Sequence, residues 1–210
     1  TMYCVFIGKA VQTVAPAIGS VTNDMLSGSI ANAKLANSSV TVNGTSISLG
    51  ASGNISAGIT EADQWRVTAG ATGNQDPISS NWERVDTDGF GYIGTGMTQS
   101  SGTFTFPSTG FWLIRAQGSG FISSANSQAM RFIIKTTTNN STYDSASQGT
   151  NGAYNFGSGL GTDVSTYCEF LFDVTNVTTH KVRLSFGAGQ GHEAFNASTD
   201  QTLTGLTFIR

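Results

Sequence analysis

Residues 103–114, Thr-Phe-Thr-Phe-Pro-Ser-Thr-Gly-Phe-Trp-Leu-Ile, constrain the fold of this chain more than any other stretch. A short alternating strand runs into a proline, where the missing N–H is tolerated at a strand end. A glycine then permits a tight reversal, and an apolar run follows that suits the middle of a sheet. The rest of the chain has the same character. Only 11% of residues are charged, and polarity comes from Ser, Thr, Asn and 26 glycines. Exposed helix faces usually draw on Glu, Lys and Arg, so this composition suits short strands and turns instead. Thirteen Phe, five Tyr and three Trp supply one sizeable core.

Several functions are excluded early. A net charge of −3 argues against a phosphate-backbone binder, so no nucleic acid is expected as partner. No window of about 18 apolar residues offers a membrane-spanning helix, and no membrane insertion is expected. The start, Thr1-Met2-Tyr3-Cys4-Val5-Phe6-Ile7-Gly8, lacks the basic and apolar regions of a signal peptide. It reads as the end of a preceding β domain (residues 1–15). Cys4 and Cys168 are expected as two buried thiols, not a bridge.

From Pro16 the character changes. Ser20-Val21-Thr22-Asn23-Asp24-Met25-Leu26-Ser27-Gly28 aligns with Ser29-Ile30-Ala31-Asn32-Ala33-Lys34-Leu35-Ala36-Asn37. Each unit carries two strong hydrophobes, too few to bury alone, so such repeats must stack on neighbours or on other copies. Val40-Thr41-Val42-Asn43-Gly44-Thr45-Ser46-Ile47-Ser48-Leu49 follows, with Asn-Gly between two alternating runs, a strong hairpin signal. Its apolar edge is Val40, Val42, Ile47 and Leu49. An isolated hairpin is marginal in water, and three copies around an axis would bury that edge. A Gly/Ser/Ala linker at residues 50–58 completes a repetitive stalk (16–58). From residue 59 to residue 210 the expected strands are 64–69, 81–85, 91–93, 102–106, 111–117, 129–137, 165–174, 180–186 and 201–209, with the longest loop at 138–163. So many short strands without helical periodicity imply a sandwich or jelly roll.

The segment 64–210 resembles the jelly-roll superfamily shared by tumour necrosis factor and the complement globular heads. Trp65-Arg66-Val67 opens it, and the 103–114 phrase is similar to that family's F-x-x-P-x-x-G-x-Y-x-F/I. A strand pair at 167–174 and 181–186 follows, and Thr204-Gly205-Leu206-Thr207-Phe208-Ile209 is similar to the closing F-S-G-F-L-L-Y. Trp112 stands where the family favours Tyr, and Thr179-His180 replaces its Gly-Asp. The first 58 residues resemble instead the serial stalks of tail fibres from tailed bacteriophages of marine hosts. The two resemblances imply an all-β chain in which a trimeric stalk leads to a ten-strand-type jelly-roll head. They imply a homotrimer on the phage tail of a virion. Its partners would be upstream tail-fibre or baseplate components and a host cell-surface receptor, a glycan or an outer-membrane protein.

In the resembling family three jelly rolls meet on a threefold axis. Period-two alternation separates Trp112, Ile114 and Ala116 from Phe111, Leu113, Arg115 and Gln117, and the resemblance directs the second set to the axis. Arg115 would then need a partner, for which Glu169 or Glu193 could serve, or a solvent channel, since unpaired buried guanidinium groups are very costly. The trimer interface expected is therefore Val40, Val42, Ile47, Leu49, Phe111, Leu113, Arg115 and Glu169.

No catalytic motif competes with an interaction role. His192-Glu193 has no second ligand at metal spacing, and Asp86-Thr87-Asp88-Gly89 lacks the further carboxylates of a calcium loop and reads as a turn. The glycine runs at 157–161 and 187–191 do not open helices with Lys-Ser/Thr. A glycosidase would need two carboxylates across a cleft, and the acidic residues are scattered. No enzyme activity, metal or cofactor is expected. Aromatic residues beside polar ones in the loops suit sugars, and the receptor-binding candidates are Tyr143, Tyr154, Asn155, Phe156 and His192. Trp82 and Phe195 are better explained by core packing. The alternatives to attachment are a purely structural trimerisation or decoration module and a glycan-cleaving tailspike.

Overall fold

The computed structural model describes the chain except residues 6, 7, 9–27, 29–31, 33, 34, 56, 57, 123–128, 153–161 and 190–192. The repeat at 20–37 falls largely on residues outside that set, and Thr1 to Val5 carry no strand. The chain divides into two units, Thr1–Ile55 and Ser56–Arg210.

In the first unit, β1 (Ser39–Val42) pairs antiparallel with β2 (Thr45–Ser48). Asn43 (φ 48°) and Gly44 (φ 78°) both take the left-handed region. This is the pair of positive φ values that a two-residue hairpin matched to strand twist requires. Val40 faces Ile47 across the ladder. Val40 and Val42 are exposed while Ile47 and Leu49 are half-buried, so the apolar edge expected from the sequence exists.

The second unit is a two-sheet sandwich. Its strands are β3 (Ala62–Val67), β4 (Ala71–Thr72), β5 (Trp82–Arg84), β6 (Thr98–Ser100), β7 (Thr103–Thr105), β8 (Gly110–Ile122), β9 (Met130–Thr137), β10 (Asp144–Asn151), β11 (Thr162–Val174), β12 (Lys181–Ala188), β13 (Ala194–Phe195) and β14 (Gly205–Ile209). One sheet runs β10-β9-β12-β7-β6. The other runs β4-β13-β8-β14-β3-β5, with β11 paired to β8 along its full length. All these pairings are antiparallel.

The opening phrase is a crossover, not a hairpin. β7 pairs with β12 in one sheet and β8 with β14 in the other. Phe104 and Phe106 therefore enter the core from one side, and Trp112 and Ile114 from the other, all four buried. Phe106 and Trp112 meet with ring centroids 5.2 Å apart, and Phe104 lies 5.4 Å from Phe208 and 4.9 Å from Trp82. Trp112 Nε1 donates to the Ser108 carbonyl at 3.1 Å, which pins the turn over its own first core residue.

β8 continues past Gln117 because Gly118 and Gly120 let the sheets close. A Cβ on Gly118 would lie 2.1 Å from the Phe132 ring, and one on Gly120 would lie 2.2 Å from the Met130 sulfur. The expected loop at 138–163 contains β10, an edge strand on β9. Its sequence, Asp-Ser-Ala-Ser-Gln-Gly-Thr-Asn, is polar because much of it faces solvent, so it carries no apolar period. The expected strand at 91–93 reduces to a single bridge between Ala62 and Ile93. Cys168 is buried as expected, whereas Cys4 is exposed.

Candidate functional site

The alternation along β8, β11 and β14 builds one face that the sandwich itself does not cover. On β8 the inward set Trp112, Ile114 and Ala116 is buried, while Phe111 and Arg115 are exposed and Leu113 and Gln117 half-buried. Strand register adds the neighbours. Leu171 lies opposite Leu113, Glu169 opposite Arg115 and Tyr167 opposite Gln117, while Thr207 and Ile209 flank Arg115 and Leu113 from β14. Phe111, Tyr167 and Leu171 keep 64%, 69% and 61% of their surface open. Phe111, Leu113 and Leu171 lie together on this face, with exposed Asp173 opposite Phe111, and Tyr167 lies beyond Glu169. Several large exposed apolar side chains on one sheet face are unlike the single exposed hydrophobes found on most protein surfaces.

Charge sits in the middle of this patch. Arg115 Nη2 lies 3.2 Å from Glu169 Oε2, so of the two carboxylates considered from the sequence it is Glu169 that neutralises the guanidinium. Glu193 is buried elsewhere, next to β13. Exposed as it is, the pair is worth roughly 0–1 kcal/mol. Covered by apolar surface it would need to stay intact, since breaking a buried pair strands an uncompensated charge. Arg115, Gln117, Tyr167 and Glu169 line a cavity of about 490 Å³ on this face, and Gln117 Nε2 donates to the Thr202 carbonyl.

The loop candidates fare differently. Tyr143 is half-buried, and the Arg183 guanidinium stacks 3.6 Å above its ring centroid, so one face of the ring is already occupied. Tyr154, Asn155, Phe156 and His192 lie outside the described residues. Trp82 packs edge-on against Phe104 and donates from Nε1 to the Ile78 carbonyl at 2.7 Å. Phe195 packs against Phe186 and Phe132 in the core. Among the described residues no group of three or more His, Cys, Asp or Glu is arranged to hold a metal ion. Burial pushes the Cys168 thiol above its ordinary pKa, which removes it as a nucleophile at neutral pH.

Of a second surface, at the β5 edge, the sequence showed only the Asp86-Thr87-Asp88-Gly89 turn. Arg84 is held from below by Asp63, through Nε and Nη2 at 3.1 Å each, and Nη2 also donates to the Met97 carbonyl at 2.6 Å. Asp63 is buried and also accepts from the Met97 N–H and Trp65 Nε1. The fixed guanidinium lies between two rings, 4.9 Å from Trp65 and 4.7 Å from Tyr92. Arg66, only 1% exposed, reaches Thr87 Oγ1 at 2.9 Å, Glu83 Oε1 at 3.0 Å and Asp86 Oδ1 at 2.7 Å. The two arginines thus tie down the loop from Val85 to Tyr92. The signal available in the sequence was Phe90-Gly91-Tyr92 directly after an Asp-Gly turn.

Murine APRIL, in its crystal structure at pH 5.0, superposes on this chain with a TM-score of 0.52 at 11% identity, over 71% of this chain and 98% of APRIL. The Eiger TNF of S. frugiperda superposes with a TM-score of 0.53 at 11% identity, over 71% of this chain and 90% of its own. The fold is a TNF-type jelly roll. At this identity the likeness concerns the fold alone. No protein-family model matches the sequence, and no curated protein matches it. In this sheet β8 lies between β14 and β11, the strand at the edge opposite β5, and the outer face of these three strands is open.

Proposed function

We propose that this chain is the distal part of a bacteriophage tail fibre: a homotrimer whose stalk leads to a TNF-type head that attaches the virion to a host-surface receptor. The observation that carries the reading is the open apolar face around Phe111, Tyr167 and Leu171. Each fully buried side chain of this size contributes about 1.5–3 kcal/mol, and a face this apolar is covered by another molecule more often than by water. Symmetric self-association is the economical cover, because one patch then serves every copy. The Arg115–Glu169 pair suits such an interface, since it enters it already neutralised. The stalk argues for the same arrangement, because the hairpin edge of Val40, Val42, Ile47 and Leu49 also lacks the means to bury itself within its own two strands.

Attachment follows from geometry of display. Three heads on one stalk present each surface loop three times, and linked weak contacts gain through effective concentration. The purified chain, added to cells of a susceptible bacterial host, is expected to adsorb saturably and to block infection by the parent phage. Assembly without adsorption would leave a trimerisation or decoration module. Oligosaccharide released from the cells would identify a glycan-cleaving tailspike.

A further inference from the structure

We propose that the loop from Val85 to Tyr92 carries a groove for neutral oligosaccharides, with Phe90 as its central platform. The proposal gives the attachment reading a ligand class and rests on that reading for its biological role. Two cavities flank this loop, of about 420 Å³ and about 440 Å³. Both fall in the range of roughly 300–1,000 Å³ usual for small-ligand sites. They share Val85 and Phe90 as a common wall, so they form adjacent halves of one surface, not separate sites.

The two halves differ in chemistry. The first is walled by Phe90 and Tyr92, with Arg84 and Asp86 at its edge. The second is lined by amide, hydroxyl and carboxylate groups of Gln64, Thr87, Asp88, Asp200 and Gln201. A pyranose ring offers an apolar C–H face and a rim of hydroxyls that both donate and accept. Aromatic rings match the face, and Asp, Gln and Thr match the rim. Two halves on either side of one ring suit two consecutive sugar units.

The groove is also preorganised, which lowers the ordering cost of binding. Thr87 accepts from Arg66 and donates to the Asp200 carbonyl at 3.2 Å, tying the two loops that line the second half. The Phe90 N–H donates to the Thr87 carbonyl at 3.1 Å, with Asp88 (φ 57°) and Gly89 (φ 79°) in the left-handed region between them. Tyr92, exposed, is held by its stack on Arg84, which Asp63 fixes in turn. Charge then selects among sugars. Asp86, Asp88 and Asp200 line the groove; Arg66 is committed to Asp86 and Glu83, and Arg84 to Asp63, so the acidic excess lies with Asp88 and Asp200. Acidic sugars meet repulsion there, and neutral ones do not. The Phe90–Tyr92 half lies at the β5 edge, at the far end of the sheet from β11. The second half borders the open face, since its Gln64 donates to Thr207 Oγ1 beside Arg115 and its Thr202 carbonyl accepts from Gln117. The first half is the part away from Phe111 and Leu171.

The test uses the whole chain on an array of neutral and acidic oligosaccharides, followed by titration of the strongest neutral binder against variants. Wild type is expected to bind neutral glycans and to ignore sialylated and uronic-acid-containing ones. Phe90→Ala and Tyr92→Ala are expected to weaken binding about tenfold or more, the order of a lost aromatic contact, while Tyr92→Phe stays within about threefold. Melting curves accompany each variant, and the exposed Tyr92 keeps the test decisive if Phe90→Ala unfolds. A chain that adsorbs to host cells but binds nothing on the array, or only acidic glycans, overturns the groove and leaves attachment standing. Unchanged binding by Tyr92→Ala overturns the assignment to this loop. Neutral glycan binding lost in the variants, with no adsorption to cells, keeps the groove and removes the attachment reading.

Discussion

Replacing Leu171 by Ser separates an interface residue from a core residue by a quantity that can be worked out in advance. Full burial of a leucine is worth about 1.5–3 kcal/mol. With 61% of its surface open in the single chain, covering the remainder is worth about 1–2 kcal/mol per protomer, or about 3–6 kcal/mol per trimer. At about 1.4 kcal/mol per decade, the trimer dissociation constant rises by about two to four decades. That constant scales with the square of concentration, so the midpoint of dissociation moves by about one to two decades in protein concentration. The folded protomer loses little, within about 0.5 kcal/mol, because the side chain touches solvent there. Sedimentation velocity over a dilution series reads the midpoint, and a thermal melt of the dissociated variant reads the protomer. A midpoint that does not move would refute the placement of Leu171 in the interface. A protomer that melts well below wild type would show that the residue supports the fold instead.

Two further perturbations test the packing and the charges. Gly118→Ala drives a methyl group into the Phe132 ring, and overpacking of this kind costs about 1–3 kcal/mol; a melting temperature lowered by about 2–4 °C per kcal/mol is expected, and an unchanged one would contradict the close approach of the sheets. Asp76 accepts from Lys135 Nζ and Ser185 Oγ, which hold its carboxyl below the ordinary value. A depressed folded pKa contributes stability above the unfolded value near 3.8 and loses it as pH falls through the folded one. Asp76→Asn should therefore flatten the acid limb of the stability curve below about pH 4, by a small amount because Asp76 itself is exposed, as followed by urea unfolding at stepped pH.

Where apolar residues alternate against polar ones, the sequence was legible. On β8 period two separated Trp112, Ile114 and Ala116 from Phe111, Leu113 and Arg115, and the family resemblance directed the first set inward, since both sets carry large apolar residues. The Asn43-Gly44 turn was equally plain, since few residue pairs accept two positive φ values. β10 was hidden because an edge strand with solvent beside it needs no apolar period. The far half of β8 was hidden because Gly118 and Gly120 look like a loop until Phe132 and Met130 are seen occupying the space a Cβ would need. The phrase at 103–114 was read as a reversal within a sheet, yet it joins two sheets; alternation fixes which side chains share a core and is silent on which sheet each strand enters. The Phe90–Tyr92 groove escaped notice because its parts come from β3, from the loop after β5 and from residues 200–202, and no local spacing connects them.

In the proposed trimer the open face of β8, β11 and β14 is covered by two further copies of the chain. Native mass spectrometry of the wild-type protein at micromolar concentration measures this most directly. A single species at three times the chain mass is the expected result. A monomer at every concentration, with Phe111, Tyr167 and Leu171 still open to solvent, would contradict it.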